Sequence, residues 1–115
     1  MKAVIIGGSG FLGSHICDQL TESNHDVTIL DRCHSVYKSD KQKIIIGDTE
    51  DRQLIASAIK GVDVVYHVAG LSDIDEAINK PTDTVVQNIL GTINVLDFLR
   101  DQKKTKFVYA STVYV

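Results

Sequence analysis

The chain has 115 residues, 43% of them hydrophobic, enough for one compact domain with a core of its own. A formal net charge of −3 excludes the basic footprint of a nucleic-acid-binding domain, and no apolar run is long enough to span a bilayer. Cys17 and Cys33 lack metal-ligand spacing and read as reduced thiols; with no signal peptide ahead of the first apolar run, the expected location is the cytoplasm and no metal site is expected.

Residues 2–6 read as the first strand, and its run Ala3-Val4-Ile5-Ile6 has the pattern of a parallel strand covered on both faces. Gly7-Gly8-Ser9-Gly10-Phe11-Leu12-Gly13 follows, and the chain then takes helical spacing to about residue 22, with Leu12, Ile16 and Leu20 expected against the sheet. After a polar break, Val27-Thr28-Ile29-Leu30 reads as the second strand, with Asp31 at its carboxyl end. Residues 32–43 are polar and mixed in charge, a surface loop. Ile44-Ile45-Ile46 is the third strand, ended by Gly47-Asp48. Thr49 or Glu50 then opens a helix with Leu54, Ile55, Ala58 and Ile59 as its buried stripe and Gly61 as its stop.

Residues 62–68 read as the fourth strand and 69–72 as a loop. A short helix is expected over 73–80. Pro81 then opens a long helix to about Arg100, with Val85, Ile89, Ile93 and Leu96 as its apolar face, widened by Val86 and Leu99. Gly91 falls inside that helix at a cost of roughly 1 kcal/mol relative to alanine, which calls for a close packing contact. Residues 107–110 form the fifth strand, ending at Ser111-Thr112. Strands alternating with helices imply an α/β fold. The expectation is a Rossmann-type, doubly wound parallel sheet of five strands in order 3-2-1-4-5, helices on both faces, with a ligand crevice at the carboxyl ends of strands one and four.

The glycines at Gly7, Gly10 and Gly13 form a variant of the dinucleotide fingerprint, at a strand-to-helix turn where main-chain donors and the helix dipole favour a phosphate. A tight turn alone would use the same residues. Asp31, 18 residues after Gly13, adds the second element: a strand-end carboxylate accepts hydrogen bonds from an adenosine ribose and repels a 2′-phosphate, favouring NAD over NADP. Arg32 tempers that preference, because a guanidinium pairs with phosphate. Asp48 suits either an adenine amino group or the N-cap of the helix that follows.

Taken in register, these blocks resemble the N-terminal part of an extended short-chain dehydrogenase/reductase of the nucleotide-sugar epimerase/dehydratase family. The matching blocks are Gly7 to Gly13, Asp31, Gly47-Asp48, His67-Val68-Ala69-Gly70, the stretch from Pro81 through Asn88-Ile89-Leu90-Gly91-Thr92-Ile93-Asn94-Val95-Leu96, and Ala110-Ser111-Thr112, over nearly the whole chain. The resemblance implies that the main chain at Gly10, Phe11 and Leu12 meets the pyrophosphate and that Asp31 holds the ribose. It places Asp48 and Thr49 by the adenine, lines the cofactor with the main chain of Val68, Ala69 and Gly70, and has Asn88 support the active site. Ser111 and Thr112 stand at the active-site hydroxyl, Thr112 being the preferred candidate. His67 reads as a packed histidine at a strand end.

The departures narrow the reading. Val113 and Tyr114 stand where the family's dehydratases carry an Asp-Glu pair, which leaves an epimerase or a reductase. Val115 fits the first residue of the family's Val-Tyr-Gly. The family's catalytic Tyr-x-x-x-Lys follows on a later helix; Tyr37 and Lys41 have that spacing but lie between strands two and three. Residues 1–115 are therefore expected to be an NAD(P)-binding domain cut after strand five, lacking the catalytic helix and the sugar-binding part. The expected role is the cofactor half of an NAD-dependent nucleotide-sugar epimerase working by transient hydride transfer, inert by itself. An NAD(P)-dependent sugar or ketone reductase and a non-catalytic NAD(H)-sensing module are the alternatives. By analogy with the family, the exposed face of the helix over 81–100 is a candidate homodimer contact.

Overall fold

A computed structural model describes residues 1–112. Five parallel strands, β1 (Lys2–Ile6), β2 (Asp26–Asp31), β3 (Lys43–Ile46), β4 (Val64–His67) and β5 (Lys106–Tyr109), form one sheet in the order β3-β2-β1-β4-β5. This is the expected doubly wound arrangement. Its core is continuous apolar strand: Val4, Ile6, Leu30 and Val65 pack on one face with Ile55, Ile59 and Val95, and Ala3, Ile5, Val27, Ile29 and Val64 pack on the other with Cys17. Parallel strands covered on both faces have no polar side to offer, which is why the sequence shows runs rather than alternation.

Helix α1 (Phe11–Glu22) covers the second of those faces. Its buried residues are Gly13, Ser14 and Cys17, and Ile16 and Leu20 pack alongside them. Leu12, expected against the sheet, is instead exposed with Phe11: the buried face of the helix runs through Gly13, Ser14 and Cys17. The connection between β2 and β3 is held down by Gln42, 3% exposed, whose amide donates to Asp18 Oδ1 (3.1 Å) and Thr21 Oγ1 (3.0 Å) on α1.

Helix α2 (Arg52–Ile59) lies on the opposite face. Asp51 caps it by accepting from the Leu54 amide at 3.0 Å, so Asp48 is not its N-cap and the helix opens later than Thr49 or Glu50. Gly61, at φ +71°, closes the segment as expected. Strand β4 is shorter than the run 62–68, because Val62 and Asp63 are used in the turn and Val68 enters the loop.

The expected long helix is not uniform. A short helix α3 (Ile74–Asn79), capped by Asp73, precedes α4 (Pro81–Val85). A π turn (Val86–Leu90) then leads into α5 (Gly91–Leu99). The buried face of α5 is Gly91, Asn94 and Val95, and Val95 packs on the sheet with Phe98 and Leu99 at the margin. The expected apolar face, Val85, Ile89, Ile93 and Leu96, points outward, each of these side chains being about half exposed. The physical reason is the close approach of α5 to the β3–α2 loop. A Cβ on Gly91 would run into Thr49 Oγ1, so this is the contact that requires glycine. Asn94 Nδ2 donates to the Thr49 carbonyl at 2.9 Å. Arg52 ties the same helices together through Asn94 Oδ1 (2.9 Å) and Asp97 Oδ2 (2.6 Å). With Arg100 at 3.0 Å as well, these guanidiniums hold the Asp97 carboxyl below its ordinary value, the Arg52 hydrogen bond being the larger cause.

Candidate cofactor site

The parallel ladder continues past the strand ends and fixes every loop at the carboxyl edge. Gly7 N donates to Leu30 O (2.8 Å), Val68 N to Ile6 O (2.9 Å), Gly47 N to Asp31 O (2.8 Å) and Ala110 N to His67 O (3.2 Å). The loops after β1, β2, β3, β4 and β5 therefore form one continuous row, and every cofactor-site residue expected from the sequence except Asn88 belongs to it or to the start of α1.

Three glycines give the first loop its shape, each for a different reason. Gly7 has φ +89°, and a Cβ there would lie 2.7 Å from Ala69 N, so the loops after β1 and β4 touch through their main chains. A Cβ on Gly13 would strike the Gly7 carbonyl, which lets α1 start hard against the turn. A Cβ on Gly10 would meet nothing closer than Gly7 O at 3.5 Å. Gly10 is thus not needed for packing; its bare Cα keeps the approach to the helix start open.

The first turn of α1 differs from those of α2 and α3. Those helices carry aspartate caps, whereas α1 has no side-chain cap and no acidic residue in its first turn. Uncapped main-chain donors at Phe11, Leu12 and Gly13, the positive helix end and an open Cα at Gly10 together fit a phosphate or pyrophosphate.

Asp31 is engaged on both oxygens. Oδ2 accepts from Ser9 N (3.0 Å) and Oδ1 from Cys33 N (3.1 Å), while Ser9 Oγ donates to Cys33 O (2.8 Å). The carboxylate therefore locks the glycine loop to the end of β2, and each oxygen keeps a further lone pair able to accept a hydrogen bond. Ser9 is the residue that sequence reasoning missed here; a serine inside a glycine turn gave no pattern to single it out.

Arg32 is paired with Asp48, Nε to Oδ2 at 3.2 Å. Asp48 Oδ1 also takes the Glu50 amide (3.2 Å) and stands 3.5 Å from Thr49 Oγ1. The two residues read separately from the sequence form one exposed ion pair across the ends of β2 and β3. Thr49 itself is buried, its side chain turned to Gly91.

The fourth loop is held from the side. Gly70 has φ +147°, and a Cβ there would lie 2.5 Å from Asn88 Oδ1. Asn88 Oδ1 accepts from Leu71 N (2.7 Å) and Asn88 Nδ2 donates to Leu71 O (2.9 Å). Both functional groups of Asn88 bond the main chain of that loop at Leu71, so its side chain holds the segment that follows Val68, Ala69 and Gly70. It lies inside the π turn, a device frequent at functional sites. Ser111 and Thr112 are exposed at the end of β5. Val113, Tyr114 and Val115 lie outside the described residues. Tyr37 and Lys41 lie in the β2–β3 connection, away from the β1–β4 edge. Among the described residues there is no cluster able to hold a metal ion and no helix long and apolar enough to cross a membrane.

Comparisons with known proteins converge on this geometry. The profile of the NAD dependent epimerase/dehydratase family matches residues 3–115. A putative UDP-glucose 4-epimerase of Methanocaldococcus jannaschii is 36% identical over 113 residues, which is 95% of this chain and 37% of that protein. The sterol-4-alpha-carboxylate 3-dehydrogenase of mouse is 34% identical over 114 residues, 99% of this chain and 30% of that protein. Among solved structures, the Thermus thermophilus UDP-glucose 4-epimerase in complex with NAD superposes with a TM-score of 0.90 at 26% identity, covering 97% of this chain and 38% of that one. The chain thus spans under two-fifths of the length of these relatives.

Proposed function

The chain belongs to the NAD dependent epimerase/dehydratase family, and from that premise we propose that residues 1–115 are the cofactor-binding part of an NAD-dependent nucleotide-sugar epimerase. The observation that carries the reading is the uncapped start of α1 beside an open Gly10, with Asp31 fastening the same loop. NAD, when bound, supplies a reversible hydride acceptor. What this chain contributes is recognition. The α1 amides take the pyrophosphate, Asp31 the adenosine ribose, Asp48 and the main-chain amide of Thr49 the adenine edge, and the main chain of Val68, Ala69 and Gly70 the far wall.

Two features support NAD over NADP: the carboxylate of Asp31 at the ribose position, and the engagement of Arg32 by Asp48, which draws the one neighbouring guanidinium away from a 2′-phosphate. Ser111 and Thr112 are the hydroxyls at the end of the reacting edge, with Thr112 as the one for the sugar oxygen. No Tyr-x-x-x-Lys follows β5 within these residues, so residues 1–115 by themselves bind without turnover. The 34% identity to a dehydrogenase favours a family reductase as the second reading. The outward stripe Val85, Ile89, Ile93 and Leu96 is the surface we assign to a second copy of the chain in the cytoplasm.

Titration with NAD and NADP, followed by fluorescence, tests the reading. NAD should bind more tightly than NADP, and Gly10→Val should abolish binding while leaving the melting temperature in place. Unchanged affinity in that variant sinks the glycine-loop assignment. Turnover of any nucleotide sugar by the 115-residue chain would overturn the division of labour. Sedimentation should show a dimer that Ile93→Glu converts to monomer; a monomer at all concentrations removes the assigned contact.

A further inference from the structure

His67 ends β4 and is 1% exposed, yet one ring nitrogen, Nδ1, has no hydrogen-bond partner among the described residues. A buried acceptor left unpaired carries the desolvation penalty of that group. The other nitrogen, Nε2, lies 3.0 Å from Thr92 Oγ1. Thr92 gives its only hydroxyl hydrogen to the Asn88 carbonyl at 2.8 Å. The threonine oxygen is then left as an acceptor, and His67 donates through Nε2–H in the neutral form. Burial pushes the His67 pKa down from 6.5 to about 4, in accord with that neutral form. Edge-to-face packing with Tyr109, ring centroids 5.8 Å apart, and a tilted contact with Phe107 at 6.2 Å hold the ring in one orientation.

The bond lands where the helix departs from regular geometry. The π turn holds Asn88, and Thr92 takes the carbonyl of that same residue. Asn88 in turn takes both the amide and the carbonyl of Leu71. A continuous chain of hydrogen bonds thus runs from inside the sheet, through Thr92 and Asn88, to the loop that follows β4. We propose that His67 is a positioning residue for that loop: from the end of β4 it anchors Thr92, and so aims Asn88 at Leu71 and sets the main chain of Gly70 and Leu71. The loop is therefore held from both of its flanking elements. Its value for cofactor binding rests on the reading that Val68, Ala69 and Gly70 line NAD; the geometric claim does not.

Three variants of the 115-residue chain separate these claims. His67→Phe keeps the ring and its packing but removes the donor. His67→Gln restores an N–H near the Nε2 position. Thr92→Val removes the link without touching the sheet. Hydrogen exchange of the Leu71 amide, read in the absence of any ligand, should quicken about tenfold in His67→Phe and in Thr92→Val, the factor for one lost hydrogen bond. It should return close to wild type in His67→Gln, and the β1 amides should not change. Titrations with NAD and with AMP complete the set. NAD affinity should fall by about the same factor while AMP affinity, which reads only the loops after β1, β2 and β3, holds. Unchanged Leu71 exchange in His67→Phe and Thr92→Val overturns the proposal. So does uniform acceleration across β1, or a His67→Gln variant no better than His67→Phe. If the wild-type chain binds neither NAD nor AMP, the cofactor reading fails, and Leu71 exchange still decides the positioning role.

Discussion

The two crossover units of this sheet use helices in opposite ways. In β1–α1–β2, the helix turns Ile16, Cys17 and Leu20 inward and leaves its polar asset, the uncapped first turn, beside the glycines. In β4–α5–β5, the helical run turns Asn88, Thr92 and Asn94 inward, each on a specific partner, and leaves Val85, Ile89, Ile93 and Leu96 outside. The first unit is organised by main chain, the second by side chains. A ligand site needs both: donors free to meet it on one wall, and a second wall whose shape is fixed without them.

The first unit should be the more fragile to a side chain added at a glycine. Gly13→Val places its Cβ on the Gly7 carbonyl with backbone on all sides, so thermal unfolding should report a loss of about 3 kcal/mol and NAD binding should disappear with it. A stable Gly13→Val chain that still binds NAD would break the claim that this unit is built on main-chain contact.

The second unit should announce itself through pH. His67 is neutral in the fold with a pKa of about 4 against an ordinary 6.5. As the pH falls through 6.5 the unfolded chain takes up a proton that the folded chain refuses until about 4. Stability from this group is therefore complete above pH 6.5 and lost as the pH drops toward 4, on the order of 3 kcal/mol across that window. Denaturant melts of wild type and His67→Phe at several pH values measure it; the variant should show the shallower fall.

Two further substitutions sharpen the contrast within α5. Val95→Ala, at a residue with no exposed surface, should cost about 2 kcal/mol, whereas Ile93→Gln on the outward stripe should stay within about 0.5 kcal/mol for the isolated chain at low concentration. Equal losses would mean that the stripe is covered. The smallest effect belongs to the exposed Arg32–Asp48 pair. Arg32→Ala should change stability by less than about 1 kcal/mol, and its signature is a widened NAD-to-NADP preference instead.

The parallel runs, the glycine turn, Asp31 and the strand order were all legible in the sequence, because each depends on residue type at fixed local spacing. The outer face of the 81–99 run was not. Val85, Ile89, Ile93 and Leu96 make a regular apolar stripe, and periodicity records that a stripe exists without saying which way it turns. What decides the orientation is Gly91 against Thr49, a contact between residues 42 positions apart whose cause is close approach rather than hydrophobicity. The π turn compounds this by rotating everything after it. Asp48 was open to two readings because both an N-cap and a strand-end acid look alike in sequence; Asp51, three residues on, has the cap geometry. His67 was read correctly as packed, but its bond to Thr92 joins two elements that no local pattern connects.

The connection between β2 and β3 is tied at both ends and exposed at its tip. Ser9 Oγ grips it at Cys33, Gln42 rivets it to α1, and Val36 and Tyr37 stand out in solvent. Such a segment behaves as a handle with fixed mountings. Residues spliced in near Val36 lengthen it without disturbing either anchor, at about 0.6 kcal/mol for each doubling of its length. It borders the Arg32–Asp48 end of the crevice, so it is the place where this scaffold tolerates new sequence, such as a reporter or a recognition peptide, close to the adenosine side without rebuilding the sheet beneath it.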